Sequence, residues 1–180
     1  MAVCGIVAVL GTPRGLEPPP PEILLQSLAE AVAALPEAGR TADEWEASLE
    51  RSADALRILD GVLRSAGGVR LLVADVDLCR QLRAQLDEAT MRCVALERGL
   101  DEASKEMATA SLEGTNAALI RTRDLLWALS EDRVGHAARV RELASGDLRA
   151  AVVEGLSSLE AVMSALDRLE VRGRDSAGVH

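Results

Sequence analysis

The spacing of apolar positions changes along this chain. Residues 4–10, Cys-Gly-Ile-Val-Ala-Val-Leu, form a continuous, β-branched run closed by Gly11, the pattern of a short strand buried on both faces. Pro13, Gly15 and the run Pro18-Pro19-Pro20-Pro21 follow, which predicts a stiff, irregular connector. Beyond it the spacing turns helical. Residues 23–35 and 45–63 read as two helices, the second opened by a capping box of Thr41 with Glu44 and packed through Leu49, Ala53, Leu56, Val62 and Leu63. The acids Asp43, Glu44 and Glu46 complement the start of that helix's dipole. Gly67-Gly68 then predicts a turn.

The third helix is the most regular. Cys79, Leu86, Cys93, Leu100 and Met107 recur every seven residues, and Leu82, Ala89, Leu96, Ala103 and Ala110 each follow three residues later. That is a heptad seam. A fourth helix over 112–143 carries Leu119, Ile120, Leu126, Trp127 and Val134 on one side and breaks near Ser145-Gly146. A fifth, over 148–169, carries Val152, Leu156, Leu159, Val162, Met163, Leu166 and Leu169. Long helices joined by short glycine-containing turns predict an antiparallel bundle. Residues 171–180 read as a glycine-punctuated loop leading into a further strand.

Composition narrows the core and the partners. Phe and Tyr are absent and Trp45 and Trp127 are the only aromatic residues, so the core must come from Leu, Val, Ala and Met. A net charge of −9, with arginines dispersed among acids, argues against binding a nucleic-acid backbone. Cys4, Cys79 and Cys93 are odd in number and widely spaced, which suggests neither a disulfide framework nor a zinc site. Cys79 and Cys93 fall on the seam and read as core residues. His136 and His180 have no ligand-spaced partners, and Asn116 would set helix register if it faced the seam. With no long uncharged run, the expectation is a soluble, cytoplasmic protein without metal, cofactor or membrane contact.

Two separated segments carry a family signal. They are Cys4-Gly5-Ile6-Val7 and the stretch Arg168-Leu169-Glu170-Val171-Arg172-Gly173-Arg174-Asp175-Ser176-Ala177-Gly178. Together they resemble the opening of class II, N-terminal-cysteine glutamine amidotransferases of the glucosamine-6-phosphate synthase family, with Val171 and Arg174 in place of two tyrosines. The resemblance implies an Ntn-type αββα amidotransferase domain into which a helical bundle is inserted. On that reading 1–12 is the domain's first strand, 13–153 the insertion, and 154–180 its first helix and next strand.

The resemblance also implies a chemistry. The Cys4 thiolate would attack the amide of glutamine, with its own α-amine as base, and release ammonia for transfer to a sugar phosphate bound by a downstream module. An α-amine titrates near pH 8, close to a thiol, which suits that role. It requires removal of Met1-Ala2-Val3, or initiation at Val3. Arg172, Gly173, Asp175 and Ser176 would support the fold, and the glutamine-binding and oxyanion residues would lie beyond His180. The alternative is a catalytically inactive helical module whose seam pairs with a partner or with a second copy.

Overall fold

The computed structural model describes residues 19–36, 42–103 and 109–170. Seven α-helices run through them: α1 Pro21–Ala33, α2 Ala42–Leu63, α3 Ala66–Ala74, α4 Val76–Ala103, α5 Thr109–Trp127, α6 His136–Ala144 and α7 Ala150–Glu170. A π-helical stretch, Ala128–Gly135, joins α5 to α6 without a break. Among the described residues there is no strand, so the expected αββα Ntn domain is overturned. The helices bury their apolar faces against one another instead. One continuous core draws on all of them, from Leu24 and Leu28 of α1 to Val140 of α6 and Val153 of α7. The strand expected at 4–10, the Thr41 cap, Met107 and the stretch 171–180 lie outside the described residues. The expected boundary after residue 153 falls inside α7.

Local chemistry sets the joints. Pro21 opens α1, where a missing N–H costs nothing. Gly67 and Gly68, expected in a turn, lie in the first turn of α3. Ser65 caps that helix by accepting a hydrogen bond from Gly68 N at 3.0 Å, while its own hydroxyl donates to the Val62 carbonyl at 2.7 Å. Asp75 alone separates α3 from α4 and accepts from Leu78 N at 2.9 Å. Ser145, at φ 48°, and Gly146, at φ 95°, end α6 in left-handed backbone, where the chain turns back to α7.

The heptad seam of α4 is buried, with Cys79, Leu82, Leu86, Ala89, Cys93, Leu96 and Leu100 all in the core. Its partners are α1, α5, the π-helical stretch and α3 of the same chain. The bundle is not simply antiparallel. Glu50 pairs with Arg121 and Asp60 with Arg133, so α2 and α5 run in the same direction. Small buried residues, Ser48 and Ser52 on α2 with Thr115, Ala118 and Thr122 on α5, let neighbouring helices approach closely. Their hydroxyls are satisfied: Ser52 donates to the Ala31 carbonyl at 2.8 Å and Thr122 to that of Ala118 at 2.9 Å. By contrast α4 runs antiparallel to α5, as Glu97–Arg123 and Arg83–Glu131 show.

Candidate functional site

The π-helical stretch organises the polar surface of the molecule. Leu126, Leu129, Val134, Ala137 and Val140 are buried. The five-residue step from Leu129 to Val134 is too long for an α-helix, and the wider π turn absorbs it. Arg133 is thereby displaced from the core, and its Nε donates to Asp60 at 2.7 Å. Ile120 and Trp127, expected on the buried side, are about half-exposed, at 49 % and 53 %. They line a shallow groove with Arg83, Asp87, Arg123 and Glu131.

A second cleft, of about 640 Å³, lies between the π stretch with α6 and the near side of α7. Its centre is Glu160, which is 4 % exposed. His136 Nδ1 and Arg139 Nε both pair with the Glu160 carboxylate, and the Ser164 hydroxyl donates to it at 2.6 Å. Burial pushes the Glu160 carboxyl up, but the hydrogen bonds from Ser164 and Arg139 and the charge of His136 outweigh it and hold the group below its ordinary range. At one end Arg70 meets Glu154 at 3.3 Å. At the other Arg168 pairs with Asp132 and lies 5.2 Å over the Trp127 ring. Ser157 Oγ is buried in the cleft and has no hydrogen-bond partner among the described residues.

This arrangement fastens rather than reacts. Glu160 is ionised and saturated by three donors, and Asp132 is tied to Arg168, so neither carboxylate is poised as a proton acceptor. Among the described residues no group of three His, Cys, Asp or Glu is placed to hold a metal ion. No described helix is long and apolar enough to cross a membrane.

The far side of α7 differs in kind. The inward positions Val153, Ser157, Glu160 and Ser164 follow one helical face. Val152, Leu156, Leu159, Met163 and Leu166 follow another at alternating steps of four and three. Leu159 and Met163 are 43 % and 50 % exposed, and Val152, Leu156, Val162 and Leu166 are half-buried. The stripe was legible in the spacing. That Leu159 and Met163 would be left exposed, with Leu156 packed in part on the core and a polar face turned inward, was not.

The residues singled out from sequence are scattered. Cys4 lies outside the described residues. Cys79 and Cys93 are buried in the core, as their seam positions implied. Asn116 is exposed and Thr115 is buried in its place, so Asn116 does not set the register. His136, expected to stand alone, has Glu160 as partner from 24 residues away, a separation at which sequence carries no local signal.

No protein-family model, curated protein or solved structure matches the chain. With no such match and with an all-helical structure over the described residues, the resemblance to glutamine amidotransferases is corrected. The two matched segments are short, and the helices between and beside them form a bundle with a core of its own.

Proposed function

We propose that this chain is a helical interaction module that docks an amphipathic helix along the outer flank of α7. The apolar stripe of Val152, Leu156, Leu159, Met163 and Leu166 carries the reading: Leu159 and Met163 are exposed, Val152 and Leu166 half-buried, and Leu156 packs in part against the core at the stripe's edge. A stripe at steps of four and three is the shape that a second helix fills, knob into hole. Exposed apolar side chains are ordinary when single, and Met91, 70 % exposed one turn beyond Asp87 and Glu88, is one such. A continuous stripe on the outermost helix is not. The seam on α4 is spent inside the bundle, so it supplies no docking surface. The glutamine-hydrolysing reading rested on Cys4 and on the Ntn fold and is not carried forward.

The test places a photo-crosslinking residue at Leu159 or at Met91 in the full chain, expressed in the cells that make it. An adduct is expected from position 159 and not from position 91, and it should vanish when Met163→Glu is added. Equal labelling from both positions, or none from either, overturns the proposal.

A further inference from the structure

We infer that residues 171–180, which follow α7, lie along the groove between α4 and α5 and cover Trp127, with Arg172 and Arg174 paired to Asp87 and Asp124. This groove lies apart from the outer flank of α7, and its filling is independent of docking there.

The course of α7 sets where those residues begin. Glu160 meets His136 and Arg139, whereas Arg168, about two turns on, meets Asp132 and lies 5.2 Å over the Trp127 ring. Each step forward along α7 is thus a step back along α6, the π stretch and α5. The chain that leaves Glu170, two residues beyond Arg168, is aimed past Trp127 toward Ile120. Reach is sufficient. Trp127 and Ile120 are seven residues apart, about 10 Å of helix, and roughly three extended residues cover that distance. Residues 171–174 therefore run the length of the groove.

Charge selects the occupant. The groove, of about 540 Å³, is lined by three acids, Asp87, Asp124 and Glu131, and by Arg83 and Arg123. Both arginines are committed: Arg83 donates to Glu131 and Ser130, and Arg123 to Glu97 at 2.6 Å. Asp87 and Asp124 are left, both exposed and with no hydrogen bond or ion pair among the described residues. Arg168 covers only part of Trp127, which stays 53 % exposed. Val171-Arg172-Gly173-Arg174 is the complement. Alternate residues of an extended segment share a side, so Arg172 and Arg174 meet the two acids together while their aliphatic stems cover Ile120 and Trp127. Asp175 falls on the opposite side, away from those acids.

The contact is weak by itself. Two exposed ion pairs and one partly covered tryptophan give a separate peptide a Kd on the order of 1 mM, and the tether supplies a local concentration of the same order, so about half of the molecules hold the segment seated. Trp45 is only 8 % exposed, so acrylamide quenching of the full chain reads Trp127. Arg172→Glu with Arg174→Glu should raise that quenching about twofold with the helical circular dichroism unchanged. In the unaltered chain 1 M NaCl, which cuts the Debye length to about 3 Å, should do the same. Quenching that the double variant leaves unchanged would overturn the inference.

Disulfide trapping locates the segment. In a Cys4→Ser background, with Cys79 and Cys93 buried, Ile120→Cys with Ser176→Cys should close a link within one chain about tenfold faster than Glu88→Cys with Ser176→Cys, since Glu88 is exposed on α4 outside the groove. Equal rates would mean that the segment does not lie in the groove. Links between two chains in place of links within one would mean that a second copy fills it, and would overturn the inference as well.

Discussion

At Gly68 two helix ends nearly touch. A Cβ built there would lie 2.4 Å from the Val62 carbonyl oxygen and 2.7 Å from Leu63 Cα, both backbone atoms that cannot swing aside. Gly68→Ala must push α3 off the end of α2 and open the packing around buried Leu63 and Leu72, so we expect a loss of about 2 kcal/mol or more in urea unfolding. The Gly-Gly signal was legible in the sequence and its meaning was not: a glycine pair marks a place where a side chain will not fit, and here that place is a helix–helix contact rather than a turn. The cysteines give the opposite case, since heptad spacing alone located them. Burial pushes the Cys93 thiol up to about 11, and it raises Cys79 against a hydrogen bond from Arg141. Both stay protonated and covered at pH 8, so iodoacetamide should label neither until urea unfolds the chain, as read by peptide mass spectrometry. Rapid labelling of the folded protein would contradict their place in the core.

Among the elements, α7 is held differently from the rest. It packs mainly against α3 and α6, and among its described residues Val153 is the one fully buried apolar side chain, with Leu156 packed in part against the core. Its hold comes largely from Arg70–Glu154, from the three donors on Glu160 and from Arg168 against Asp132 and Trp127. The Glu160 carboxyl is held below its ordinary value of 4.5 in the folded protein. Its contribution is therefore complete above that value and is lost as pH falls through the lower, folded one. As pH falls below 4.5 the α7 amides should come to exchange with deuterium faster than those of α2, and Glu160→Gln should flatten that pH dependence. The groups facing Glu160 are His136, Arg139 and Ser164, and Arg139→Ala, which leaves the buried carboxylate short of a donor, should cost about 1–3 kcal/mol at neutral pH. Helix positions and the α4 seam were legible because a period repeated over many turns outweighs local exceptions. The parallel course of α2 and α5 was not, because direction depends on the route the chain takes through α3 and the connection after α4. Nor was the clasp on Glu160, whose partners come from a separate helix.

For the molecule as a whole, α1, α2, α4 and α5 pack in one group, while α3, α6 and α7 pack at the end reached by the C-terminus of α2 and the N-terminus of α4. Leucines fill the shared core, and truncating a fully buried one leaves a cavity in it: Leu86→Ala or Leu56→Ala is expected to cost about 2–5 kcal/mol in urea unfolding. The unbroken run from Thr109 to Ala144 spans both groups, and its eight π-helical residues act on it as a phase shifter. An α-helix advances about 100° per residue, so one further residue between Leu129 and Val134, beyond the one the π turn already absorbs, would rotate all of α6 by roughly that angle relative to α5. Deleting one residue from that interval would shorten the step from Leu129 to Val134 to four, which an α-helix spans, so the winding would relax to α with Val134 still facing the core. After an insertion everything α6 carries would turn with it, including His136 and Arg139, and the chain would have to give up either the shared core or its hold on α7. The length of that short interval therefore matters in one direction: loss of Glu131 should be borne in urea unfolding, whereas a residue added beside it should not.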